Sequence, residues 1–252
     1  MNLKFFLFLL FIVAAPSVFA QQARFDEATS LLEQQNFREA IDLYKSIAQE
    51  GHHSGALWLN MGVAYARLDS MGMAKFYLLQ AEEYEETKML AQKGLIFVNE
   101  RLSRRSAVLP PLPWERFFRF LISSVGITPM FILSFLMLYL GVTSIILSWF
   151  FSQNRKHYYV GGLSAIGFSV IIFACSFYMN YIENRYGTGV LTDRQSVVYE
   201  EPNRNSAPVS TAYEGYTMRV DFKESTEHSG WNYIRLENGM YGWVESDALS
   251  IF

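Results

Sequence analysis

Hydrophobic and polar positions follow four successive patterns along this 252-residue chain. An apolar run from Phe5 to Ala15 follows Lys4 and ends at Pro16. It is shorter than the roughly 20 residues a spanning helix needs. Val18-Phe19-Ala20 then offers small or aliphatic residues for cleavage, so residues 1–20 read as a secretory signal peptide. From about Ala23 to Ser103 apolar residues recur at helical spacing, without proline and with charges of both signs, which predicts an all-α domain over 21–105. Two charge-free blocks, 127–151 and 158–182, are each long enough to cross a bilayer as a helix. Beyond Tyr186, short alternating runs separated by turn residues predict five strands of a small all-β barrel over 187–252.

The segments between these blocks set the topology. "SQNRKH", 152–157, is too short for anything but an antiparallel transmembrane hairpin. Trp149, Tyr158, Tyr159 and Tyr181 lie near the block ends, where interfacial aromatics sit. Arg155 and Lys156 favour a cytoplasmic linker, whereas Arg116 and Arg119 argue the reverse. The signal peptide decides between them, placing both large domains outside the cytoplasm at an inner membrane. Small residues Gly161, Gly162, Ser164 and Gly167 suit close packing of the second helix on the first or on another subunit. In the linker, 106–126, Pro110 to Pro113 form a stiff Pro-x-x-Pro spacer. "WERFFRFLISSVG" is then either an interfacial helix or an extension of the first span.

The helical pattern repeats at 34 residues. That shift carries Ala28 onto Gly62, Leu31 onto Tyr65, Phe37 onto Met71, Ala40 onto Ala74 and Tyr44 onto Leu78. Small residues at Ala28, Gly62, Ala40 and Ala74 let neighbouring helices approach, and the large ones fill the wedge between helix pairs. "WLNMGVAY" and the later Ala74 and Leu78 resemble the tetratricopeptide repeat, Trp-x2-Leu-Gly-x2-Tyr followed by Ala-x3-Phe. A last amphipathic helix, about Thr87 to Arg101, would cap the stack. The resemblance implies a concave partner-binding face, for which helical spacing nominates Leu59, Val63, Ala66 and Arg67. Asn60 invites comparison with repeats that clamp a C-terminal carboxylate, but Phe25 and Thr29 stand where the supporting Lys and Asn belong. The run Glu82 to Glu86 reads as a solvated helix face.

In the last block, "SVVYEEP", "YTMRVDFKE", "WNYIRL", "YGWV" and the end of "SDALSIF" read as the five strands, with Asn238-Gly239 turning a hairpin. Trp231, Ile234, Leu236, Gly239, Gly242, Trp243, Val244 and Leu249 resemble the bacterial SH3 family. "VYEEP" departs from the Val-Arg-x-Gly-Pro usual in that family's first strand. Trp231 and Trp243 are candidates for an SH3-like ligand groove or for the barrel core.

Composition narrows the function. A net charge of -3 with no basic stripe argues against nucleic acid. The single Cys175 lies inside a span, and no Cys-His pair or other nucleophile partner can be assigned to His52, His53, His157 or His228. No catalytic residue, metal site or cofactor is therefore expected, and the chain is read as not an enzyme. The domain order resembles the BatE family of bacterial aerotolerance (Bat) operons. That resemblance implies a periplasmic scaffold in an envelope-stress complex, with BatA, BatB, BatD and a MoxR-type ATPase as partners besides the lipid bilayer. The alternative is a sensor that binds peptidoglycan in the cell wall.

Overall fold

The computed structural model describes residues 21–102, 104, 109–110 and 113–252. The signal-peptide reading of 1–20 lies outside the described residues, and so does the middle of the Pro-x-x-Pro spacer, 111–112. The chain divides into two compact units. One joins the segment up to Val108 with Thr188–Phe252, and the other is Leu109–Gly187.

In the first unit, helices α1 (21–33), α2 (Phe37–Gln49), α3 (Gly55–Arg67), α4 (Met71–Glu82) and α5 (Lys88–Arg101) pack in succession. The 34-residue period is visible in the backbone. Helix α1 ends at 33 and α3 at 67, while α2 starts at 37 and α4 at 71. The described residues also hold two non-glycine residues at positive φ, Gln35 and Asp69, which occupy equivalent turns 34 apart (69 − 35). Three of the pairs are buried at both positions: Ala28 with Gly62, Ala40 with Ala74, and Tyr44 with Leu78, which is 1% exposed, whereas Phe37 is half-buried and Met71 buried. Leu78 sits between two glycines. A Cβ at Gly62 on α3 would lie 2.7 Å from its Cγ, and one at Gly94 on α5 2.9 Å from its Cδ2. Aromatic rings fill the other side of the stack. His53, Trp58, Tyr77 and Tyr65 stack in sequence with centroids 5.3, 5.7 and 5.4 Å apart. Burial, helped by the neighbouring Tyr65, pushes the Tyr77 hydroxyl up to about 12.

The acidic run is a connection and not a helix face. Helix α4 ends at Glu82, and Glu83 to Glu86 turn the chain into α5. Buried Thr87 stabilises that turn by donating to the Ala81 carbonyl at 2.6 Å.

The second unit holds α6 (Pro113–Ser124), α7 (Ile127–Phe150) and α8 (Arg155–Arg185). Helices α7 and α8 are long and apolar enough to cross a membrane, and most of their surface is uncovered within the unit. They cross where Gly141 meets Gly162. A Cβ on Gly141 would lie 2.9 Å from the Gly162 carbonyl, and one on Gly162 2.7 Å from the Gly141 carbonyl. Ser169 donates across the pair to the Ser134 carbonyl at 2.8 Å, and Ser144 to the Tyr158 carbonyl at 2.8 Å. Gly161 and Gly167 have open space instead, so the small residues of α8 serve this contact unequally. Helix α6 begins at Pro113, whose fixed φ suits a first helical position. It stops before Gly126, which takes a φ of +80°. It is therefore a separate helix and not an extension of α7, and it exposes Trp114, Phe117 and Phe120.

The barrel is a seven-stranded sheet in the order β3-β2-β6-β5-β4-β1-β7. The strands are β1 (Tyr186–Leu191), β2 (Gln195–Tyr199), β3 (Pro208–Tyr213), β4 (Thr217–Asp221), β5 (Trp231–Leu236), β6 (Tyr241–Glu245) and β7 (Leu249–Ile251). Five strands are expected from the sequence, and β1 and β3 are the two beyond them. Strand β3 escapes the pattern because it is an edge strand with only Ala212 buried, and its Pro208 stands at its first position. The expected strand through Glu224 stops at Asp221. That carboxylate accepts from the Lys223 and Glu224 amides at 3.1 and 3.3 Å and starts the short helix α9 (Phe222–Thr226). Of the Asn238-Gly239 pair, only Gly239 takes a positive φ, +88°. Asn238 instead uses its side chain, accepting from the Met240 amide at 3.1 Å. Leu191, Val198, Met218, Val220, Ile234 and Val244 are among the residues of the barrel core.

Candidate functional site

Period-two alternation sorts the side chains of β5 and β6 between two faces. On β5, Asn232, Ile234 and Leu236 turn inward and are buried, while Trp231, Tyr233 and Arg235 turn outward. Strand β6 is in register with it: Trp231 faces Glu245, Tyr233 faces Trp243, and Arg235 faces Tyr241. Tyr199 of β2 pairs with Trp243 from the other side. The outer face of β2, β6 and β5 thus carries an aromatic layer. Tyr199 and Trp231 meet edge-on at 5.6 Å, Tyr233 and Trp243 lie tilted at 5.1 Å, and Tyr233 stacks on Tyr241 at 6.2 Å. His228 closes edge-on over Trp243 at 4.7 Å, and the Arg235 guanidinium lies over Tyr241 at 5.3 Å.

Neither candidate tryptophan belongs to the cluster that fills the barrel interior. Trp243 is 8% exposed, but its cover comes from the outer aromatic layer. Trp231 is half-buried, and Tyr241, 50% exposed, is the most open ring of the layer. Arg204 and Glu245 form a two-pronged ion pair at the rim, 2.5 and 2.7 Å, which holds the Glu245 carboxyl below the usual carboxylate range. Burial, with Tyr241, Glu224 and Asp221 nearby, raises the Tyr233 hydroxyl above the ordinary tyrosine value. Such a surface offers flat apolar faces and hydroxyl handles at once. The sequence reading does not assign Tyr199, Tyr233, Tyr241 or His228 to this face. The signal for Tyr233 and Tyr241 was available, since each stands two residues from a tryptophan on the same strand face.

Two Gly-Trp dipeptides anchor this face, each for a different reason. Gly230 precedes Trp231 at a φ of +83°, with open space around it. Gly242 precedes Trp243 because β2 runs against it. A Cβ there would lie 2.5 Å from Val198 Cγ1 and 2.7 Å from the Tyr199 carbonyl. Residues 181–250 match the family described as the GW (Gly-Tryp) dipeptide domain. No curated protein matches the chain.

The predicted helical face divides. Val63 is 38% exposed and Arg67 is exposed, so both reach solvent from α3. Leu59 and Ala66 are half-buried and packed against the helical core clusters. The Asn60 amide donates at 2.9 Å to the buried Tyr44 hydroxyl, which also meets the Thr29 hydroxyl at 3.0 Å. Burial raises the Tyr44 hydroxyl, against those two hydrogen bonds. His52 and His53 are exposed, and Cys175 is half-buried in α8. Among the described residues, no group of three or more His, Cys, Asp or Glu is placed to hold a metal ion.

Proposed function

We propose that this chain is a membrane-anchored, non-enzymatic envelope protein whose SH3-like barrel binds the cell wall through its outer aromatic face. The observation that carries the reading is the layer of Trp231, Tyr233, Tyr241 and Trp243 on a barrel that matches the GW family. Flat rings with hydroxyls at their edges suit the mixed apolar and hydroxylated surface of peptidoglycan. Helices α7 and α8 form the anchor as an antiparallel transmembrane hairpin. The helical module and the barrel touch within one compact unit, and the even number of spans between them brings both to one side of the membrane. The signal-peptide reading makes that side the periplasmic face of the inner membrane.

The 34-residue helix pairs are tetratricopeptide-type repeats in this reading, and Val63 and Arg67 face a protein partner. The scaffold role follows from having two binding modules on one anchor. BatA, BatB, BatD and a MoxR-type ATPase are its proposed partners, by the resemblance in domain order, within an aerotolerance or envelope-stress complex.

Full-length protein in detergent should co-sediment with purified peptidoglycan. The double substitution Trp231→Ala and Tyr241→Ala should weaken this by about tenfold or more, as removing central aromatic anchors does. Undiminished sedimentation of the double variant would remove the aromatic face from the reading. Failure of the native protein to sediment would leave only the scaffold role. A C-terminal fusion to a reporter that works only outside the cytoplasm should be active. Activity of a cytoplasm-only reporter at that position would overturn the topology.

A further inference from the structure

The first turn of α4 lacks a cap of its own. Ser70 stands at the N-cap but its hydroxyl makes no capping bond, whereas Ser54 caps α3 by accepting from the Leu57 amide at 3.2 Å. The missing acceptor comes from the barrel, 142 residues further on. Glu214, in the β3–β4 turn, accepts from the Gly72 amide at 2.8 Å. A carboxylate there also complements the positive end of the helix dipole. One turn later the Lys75 ammonium donates to the Gly215 carbonyl at 2.7 Å.

The surfaces around these bonds are cut to each other. Gly72 has no Cβ, and one would lie 2.7 Å from the Leu191 carbonyl and 2.9 Å from Thr192 Cα of the barrel. Gly215 answers from the other side. It holds a φ of +77°, and a Cβ would lie 2.3 Å from Leu102 beyond α5. Each module therefore contributes a glycine against which the other packs: Gly72 through close approach alone, Gly215 through close approach added to its own turn. Phe76 meets Phe252 edge-on at 5.5 Å, and Arg104 donates to the Tyr213 hydroxyl at 2.9 Å while lying over its ring. Burial holds the Lys75 ammonium below the ordinary lysine range against the pull of Glu237, and burial raises Glu237 against the pull of Lys75. Opposite charges are thus desolvated together at this junction.

We infer that the barrel is a fixed clasp on the helical module, supplying the N-terminal cap of α4, so that the two fold and carry load as one body. A ligand on the outer aromatic face of the barrel then pulls directly on the repeats, without a flexible tether between them. The clasp uses α4 and leaves Val63 and Arg67 of α3 open for a second partner. This inference does not depend on what the aromatic face binds.

Hydrogen exchange on the full-length protein in detergent micelles tests it. Glu214→Ala, on the barrel side, should speed exchange of the α4 first-turn amides, 72–75, by about tenfold or more, as loss of a cap does. Protection in α2 and in β5 should stay unchanged, which excludes simple unfolding of either module. Gly72→Ala, on the helical side, should speed exchange at barrel residues 191–192 and 214–216. Unchanged exchange across the junction in both variants would show two independent modules and overturn the inference. So would fast exchange at 72–75 in the native protein.

Discussion

Leu78→Ala is expected to cost the helical module about 2–5 kcal/mol, toward the upper end of what a buried leucine normally costs. The expectation rests on what surrounds the side chain. Leu78 is 1% exposed and is held between Gly62 on α3 and Gly94 on α5. A cavity usually shrinks because neighbouring side chains lean into it. Here two of the walls are backbone, and glycine has nothing to move. The hole would close by a shift of whole helices or by movement of Met71, Leu95 and Val98, which are already packed in the same cluster. Denaturant unfolding followed by far-ultraviolet circular dichroism should show an earlier loss of helix. A cost below about 1 kcal/mol would mean that the helices close on the site after all.

Gly242→Ala should destabilise the barrel by about 1–3 kcal/mol, the usual range for forcing volume into a packed site. The new methyl would meet the Tyr199 carbonyl at 2.7 Å and Val198 Cγ1 at 2.5 Å. The carbonyl belongs to the backbone of β2 and cannot rotate away as a side-chain tip can. Relief requires parting β2 from β6 at the Tyr199–Trp243 pair, which also opens the aromatic layer. Under the proposed cell-wall role, binding to peptidoglycan should therefore fall together with stability. Gly230→Ala is the control. Its space is open, so the cost is that of a positive φ alone, about 1–2 kcal/mol, with β2 and β6 still paired. Tryptophan fluorescence during denaturation compares the two, and an equal or larger loss at Gly230 would reverse the explanation of Gly242.

The difference between these glycines marks how far sequence reasoning reaches. Both precede tryptophan, and local pattern separates a turn glycine from a strand glycine but does not show that β2 crowds the second. The 34-residue period was legible because it is a property of one strand of text: small and large residues recur, and the helix boundaries and the positive φ at Gln35 and Asp69 recur with them. The hairpin of α7 and α8 was legible from length and the absence of charge. Its crossing point was not, since Gly161 and Gly162 are adjacent and only Gly162 meets the other helix. Strand β3 was missed because an edge strand with little buried surface need not alternate. At the candidate site, Trp231 and Trp243 were named but placed between groove and core. Their neighbours Tyr199 and His228 come from distant positions, and no period links them.

By itself the sequence determined what depends on local spacing: helical pairs, two apolar helices, a small β-rich end and an Asn-Gly turn. Backbone preference and burial act over a few residues, so a linear pattern records them. The tertiary structure alone decided which glycine is crowded and which side of the sheet carries the tryptophans. It also decided that Glu214 caps a helix lying 142 residues earlier. Those are facts about surfaces meeting, and packing is satisfied by whichever residue arrives, however far away in the chain it began.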